Sequence, residues 1–294
     1  MKFVSDFDGV LTDLSQEADR VKEIFTLGIS RSAGLGDSAT SHFLELAESA
    51  MRKTPHQFGW YSNGRISAYC NEDGFIRVNA LGALLDGWAS APSHFSEAAE
   101  IRLRLTKTGT ATFTDLAQAS YHQMVKETAS GARHPLDPKT RPVIETLLGR
   151  GHQVVVVSNS GTDRILQMLR AVGLAAETAP GSALRVRGDA QKFVLGNKAR
   201  TFSVGAYEVD VDRPGYEKIL REEKPDVVIG DVFSLDLALP THLSKEKEFS
   251  GLRPILRKRP YTPEWSLSHL SLIKGKEDKS GVIDSLDGLV ELDQ

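Results

Sequence analysis

Asp6 and Asp8 stand where the short stretch Lys2-Phe3-Val4-Ser5 gives way to Gly9-Val10-Leu11-Thr12-Asp13. Two carboxylates this close repel unless a cation or a shared proton lies between them, so the pair suggests a metal site. An Asp-x-Asp alone says little, since about one is expected by chance in a chain of this size. Asp210-Val211-Asp212 is a second instance, which alternation along an edge strand would explain. A second acidic run, Gly230-Asp231-Val232-Phe233-Ser234-Leu235-Asp236, follows Val227-Val228-Ile229 and adds two more carboxylates. Magnesium favours a few carboxylates together with water and substrate oxygens, which suits a set made of Asp6, Asp8, Asp231 and Asp236. Ser158 closes the run Val154-Val155-Val156-Val157 just before a helical stretch. A hydroxyl and free N–H groups at such a point form an anion site. Ser160 with Asp163 fits a capping box, a role that needs no ligand. Arg213, just before Pro214, offers a cation to an anionic substrate, with Lys192, Lys218 and Lys224 as competitors.

These residues need strands that end side by side. Four consecutive valines suit a strand buried on both faces, as in a parallel sheet. Helical patterns over Pro142–Gly149, Asp163–Val172 and Gly215–Glu223 alternate with the strands, which predicts a doubly wound α/β core. Ligands of such sheets bind at the carboxyl ends of the strands, where all four acids fall. Residues 15–137 read differently, with helices predicted over Glu17–Leu27, Ser41–Arg52, Ser93–Thr106 and Thr114–Thr128. A turn-rich stretch, Gly64–Val78, is expected to hold a short hairpin around Asn71-Glu72-Asp73-Gly74. Trp60, Tyr61 and Trp88 are expected in the core of this insert, although they could line a pocket. Extended stretches fall at Phe202–Val204 and Tyr207–Val209. A last strand and helical turn are predicted from Gly281 onward.

The chain has 294 residues, enough for two domains, with 40% hydrophobic and 26% charged residues. A formal net charge of -3 gives no support for nucleic-acid binding. The single cysteine, Cys70, excludes an internal disulfide. No apolar run approaches the roughly 20 residues that span a bilayer, and no signal peptide is apparent. A cytoplasmic location, without nucleic-acid or membrane partners, is therefore the expectation. His122 and His134 are expected at the surface, and Arg253 with Arg257-Lys258-Arg259 is expected to form a solvated basic edge.

In order, these pieces resemble the motifs of the haloacid dehalogenase-like hydrolase superfamily. Asp6-Phe7-Asp8-Gly9-Val10-Leu11-Thr12 resembles motif I, the valine strand with Ser158 motif II, and Gly230-Asp231 with Asp236 motif IV. Motif III departs from the commoner form, because Arg213 stands where lysine is usual before proline. The resemblance covers residues 1–14 and 138–294, and the insert occupies the position of a type 1 cap. It implies a Rossmann-like core with a mainly helical cap domain inserted after the first strand. It also implies that Asp6 attacks phosphorus and that Asp8 serves as acid and base. Mg2+ would be held by Asp6, the Asp8 backbone carbonyl, Asp231 and Asp236, and phosphate oxygens by Ser158, Asn159 and Arg213. The implied function is hydrolysis of a small phosphorylated metabolite. A phosphomutase and a non-catalytic phosphate-ligand binding protein are the alternatives.

Overall fold

The computed structural model describes residues 1–93, 95–130, 136–272 and 281–292, so His134 lies outside the described residues. From the N-terminus, strand β1 (Lys2–Ser5) leads into helices α1 (Ser15–Ala33) and α2 (Asp37–Lys53). A two-stranded sheet, β2 (Gly59–Ser62) and β3 (Arg65–Tyr69), precedes α3 (Gly74–Ala89), α4 (Ser96–Lys107) and α5 (Phe113–Ser130). Next come α6 (Thr140–Gly149), β4 (Gln153–Val157), α7 (Thr162–Ala171) and β5 (Leu184–Arg187). An antiparallel pair, β6 (Thr201–Val204) and β7 (Tyr207–Asp210), is followed by α8 (Pro214–Glu223) and β8 (Val227–Gly230). A π-helical turn, Phe233–Leu237, runs into α9 (Ala238–Leu243). The remainder is β9 (Arg253–Arg257), α10 (Glu264–Leu272), β10 (Val282–Ile283) and α11 (Asp287–Glu291).

The chain divides into two compact units. One comprises Met1–Leu14, Ser62–Ala68 and His134–Gln294, the other Ser15–Tyr61 and Tyr69–Arg133. The first unit is an α/β fold built on a six-stranded sheet in the order β10-β9-β8-β1-β4-β5, with every pairing parallel. Phe3 of β1 is in register with Val154 of β4 on one side and Val227 of β8 on the other. Buried aliphatic side chains of β1, β4 and β8 hold this centre, each worth about 1.5–3 kcal/mol relative to exposure. The order reverses at β1, so the carboxyl ends of β1, β4 and β8 lie together at a switch point, where such sheets bind ligands. Among the described residues no helix is long and apolar enough to cross a membrane.

The second unit is mainly helical and has its own core, around Phe25, Ile29, Phe43, Leu81, Leu85 and Phe113. The hairpin turns at Asn63-Gly64, both with positive φ, rather than around Asn71–Gly74. Asp73 instead caps α3, its carboxylate accepting from the Phe75 and Ile76 N–H groups. The tip of the hairpin, Ser62–Ala68, groups with the sheet unit, where Arg65 pairs with Asp210 and Asn63 donates to the Leu195 carbonyl at 2.6 Å. Asp210 is thus buried and ion-paired, not part of an alternating edge. Arg257 likewise departs from the expected solvated cluster. It is buried and donates to the Val10 carbonyl and to Asp137. His122 is exposed. Trp60, Tyr61 and Trp88 line a cavity, and Trp88 also packs against the core of its unit.

Candidate active site

β1 delivers Asp6 to the sheet's carboxyl edge, where its N–H is fixed by the Ile229 carbonyl of β8 at 2.9 Å. Asp231 follows β8 directly, and Asp236 returns to the same point on the π-helical turn. Side-chain oxygens of Asp6, Asp231 and Asp236 all lie within 4.8 Å of one another. Two close approaches shape this cluster. Gly9 has φ +79°, and a Cβ there would lie 2.0 Å from Asp231 Oδ2. A Cβ on Gly230 would lie 2.2 Å from that of Asp236. Irregular helical turns of this kind concentrate at functional sites.

The cation at the cluster is Lys192, not Arg213. Lys192 is 1% exposed, and its Nζ donates to Asp6 Oδ1 at 2.7 Å and to Asp236 Oδ1 at 2.9 Å. Its backbone N–H donates to Asn159 Oδ1 at 2.7 Å, so Asn159 secures the loop that carries the lysine. Arg213 is fully buried for a different purpose. Its guanidinium donates to the Ser67 hydroxyl and carbonyl and to the Lys192 and Ser234 carbonyls, tying three segments together behind the site. A guanidinium committed to four oxygens has little left for substrate phosphate. Lys218 and Lys224 are exposed and pair with Glu222 and Glu248.

Asp8 is not one of the three clustered carboxylates. Its carboxylate accepts from Ser158 Oγ at 3.1 Å, Ser160 Oγ at 2.6 Å and Arg164 Nη1 at 3.1 Å. Ser160 is therefore not a cap. The cap position of α7 is Gly161, with no side-chain cap bond, because the Ser160 hydroxyl is drawn to Asp8. Ser158 sits beside both, its Oγ accepting from the Ser160 N–H at 3.0 Å. Three further residues escaped the sequence reading. Arg164 follows Ser160 by one helical turn and bonds its hydroxyl at 2.9 Å. Tyr261 donates to Asp231 Oδ2 at 2.6 Å, and Tyr216 to the Asp236 carbonyl at 3.0 Å. Only the Ser160–Arg164 spacing left a trace in the sequence, as an i, i+4 pair.

Burial pushes the Asp6 carboxyl up, to about 8, against the pull of Lys192 and with the charges of Asp236 and Asp8 adding to the rise. Burial works against the Lys192 charge, but Asp236 and Asp6 outweigh it and hold the ammonium above its usual value. Tyr216 is pushed up by burial, so it remains a hydroxyl donor. Three carboxyl groups face one ammonium in a buried compartment, a formal charge of −2 once Asp6 gives up its proton. A divalent cation would cancel that charge. The oxygens of Asp6, Asp231 and Asp236, all within 4.8 Å of one another, are the hard donors that Mg2+ takes. The donor set fits such an ion.

In motif order, this chain resembles the haloacid dehalogenase-like hydrolases. Among solved structures it matches a 2-haloacid dehalogenase from Pseudomonas syringae at 15% identity, covering 99% of this chain and 96% of that one, with a TM-score of 0.41. A protein described as a HAD-hydrolase, YfnB of Bacillus subtilis in a magnesium-bound form, matches at 10% identity, over 99% and 97% of the two chains, with a TM-score of 0.45. A Haemophilus somnus protein described as a phosphoglycolate phosphatase matches at 12% identity, over 99% and 97%, with a TM-score of 0.43. No family model and no curated protein matches the chain. What the site can do follows from its own residues.

Proposed function

We propose that this chain is a Mg2+-dependent phosphohydrolase acting on a small phosphorylated metabolite, in the cytoplasm. The observation that carries the proposal is the meeting of Asp6, Asp231 and Asp236 with the buried ammonium of Lys192. Asp6 is the nucleophile: its carboxylate attacks phosphorus, the bond to the leaving oxygen breaks, and an aspartyl-phosphate forms. Asp8 gives its proton to the leaving oxygen, then takes one from the water that cleaves the aspartyl-phosphate. Ser158, Ser160 and Arg164 orient the Asp8 carboxylate for both transfers. Lys192 neutralises charge shared by Asp6 and the phosphate oxygens. Asp6, Asp231, Asp236 and the Asp8 carbonyl would hold Mg2+, which offsets the repulsion between a carboxylate nucleophile and a phosphate. Tyr261 and Tyr216 keep Asp231 and Asp236 in place by their hydrogen bonds.

A panel of phosphate monoesters, assayed for inorganic phosphate with Mg2+ and with a chelator, tests this. The expected result is Mg2+-dependent release that falls to background in Asp6→Asn. An Asp6→Asn variant with the wild-type rate would remove Asp6 from the mechanism. Phosphoryl transfer to a second substrate molecule without phosphate release would make the chain a mutase.

A further inference from the structure

The helical unit contains a cavity of about 560 Å³ that the phosphohydrolase reading does not use. That volume lies within the range of small-molecule sites, about 300–1,000 Å³. One side of α3 makes its floor. Asn79, Ala83 and Gly87 recur at every fourth residue and so share a face, with Ala80 beside them. Small side chains on this face leave the space. A Cβ on Gly87 would meet nothing within 4 Å, whereas one on Gly82, around the same helix, would lie 2.9 Å from the Phe113 carbonyl of α5. The helix is thus packed tightly on one side and open on the other.

The walls are aromatic: Phe58, Trp60 and Tyr61 along the hairpin, and Trp88 on α3. Trp88 is held flat by stacking on Phe95, centroids 4.4 Å apart and planes 6° from parallel. Asn79 lines the cavity and is only 7% exposed. Its carboxamide offers a ligand both an acceptor and donors. Asp86 does not serve this purpose, because its carboxylate already accepts from the Phe113 N–H at 2.9 Å and from the Thr114 N–H and hydroxyl at 3.0 and 2.7 Å. Among the described lining residues there is no Lys, Arg or His, so the cavity has nothing to neutralise a phosphate or carboxylate.

Aromatic walls, the carboxamides of Asn79 and Gln118 and no cation select for a flat, uncharged ring with an amide-like edge. We propose that this cavity binds a planar heteroaromatic ring of the nucleobase class, stacked against the aromatic walls and read by Asn79. Stacking of a base on an aromatic side chain is worth about 1–3 kcal/mol.

The test is calorimetric titration of the full chain with adenosine and uridine, supported by tryptophan emission, with ribose 5-phosphate as the ring-free control. Saturable binding of a nucleoside with Kd below about 1 mM and none of ribose 5-phosphate is expected. Asn79→Leu, of similar volume, should weaken binding at least about tenfold, and Ala83→Leu, which fills the space, should abolish it. Circular dichroism and Tm establish that both variants fold. No saturation by either nucleoside, or equal affinity in wild type and both variants, would overturn the proposal. The ring could belong to a nucleotide substrate or to a separate ligand. Competition by the nucleoside against hydrolysis of its 5′-monophosphate supports the first, and binding without effect on turnover supports the second. Asp6→Asn should bind the nucleoside as wild type does, so this site stands or falls apart from the phosphohydrolase reading.

Discussion

Lys192 carries its charge into a compartment with almost no access to water, and two carboxylates make that tolerable. If it neutralises developing charge at the phosphate, Lys192→Met should lower kcat by about 10²–10³-fold, the usual loss of one such donor. Lys218→Ala and Lys224→Ala should leave steady-state rates unchanged. Arg213→Met should act on stability instead. It strips a donor from buried carbonyls of Ser67, Lys192 and Ser234, and a cost of about 3–5 kcal/mol is expected in denaturant unfolding. The sequence could not separate these two cations. Arg213 precedes a proline at a helix start, as a motif cation would, while Lys192 sits in a loop with no local pattern. The raised Asp6 carboxyl has its own consequence. Between the ordinary carboxylate range and about 8 the native, metal-free chain holds a proton that the unfolded chain has released. Asp6 therefore contributes stability at low pH that is lost as pH rises through about 8. If Asp6 holds Mg2+ as proposed, the ion must displace that proton, so stabilisation by Mg2+ should grow as pH rises across this window, measured as Tm with and without chelator.

At the scale of elements, the turns after β1 and β8 set the acidic cluster. Gly9→Ala places a Cβ on Asp231 and strains a positive φ, so it should cost about 1–3 kcal/mol and sharply weaken Mg2+ binding by calorimetry. Asp73→Ala should cost about 0.5–2 kcal/mol by removing the cap of α3, without touching Mg2+ affinity. The strands β4 and β8 were legible because β-branched runs bounded by Gly, Ser and Asp have few other readings, and β1 because its short apolar stretch ends at the Asp6–Asp8 pair. Helix α3 was not legible. It is apolar nearly all round, so it carries no one-sided stripe to mark it as a helix. The hairpin was sought at Asn71–Gly74, although Asn63-Gly64 had the stronger signal, the pair whose positive φ angles suit a two-residue turn. Asp73 looked like a turn residue because the side chain that favours turns also caps helices.

Among the described residues, the sheet unit and the helical unit each bury an apolar cluster of their own. Every acid of the candidate site belongs to the sheet unit, so Mg2+ should stabilise that unit selectively. Amide exchange should slow at the carboxyl ends of β1 and β8 and across 233–237 on adding Mg2+, and stay unchanged through the helical core. Motif order made the long-range meeting of positions 6, 231 and 236 legible, since each follows or adjoins a recognisable strand. Contacts such as Tyr261 with Asp231 were invisible, because a lone loop tyrosine has no spacing to betray its partner. The central claim is that Asp6 becomes phosphorylated. Turnover of an active phosphate ester, quenched in acid and followed by peptide mass analysis, addresses it directly. A phosphoryl group on Asp6 is predicted, whereas a phosphoryl group on any other residue, or none during active hydrolysis, would contradict the account.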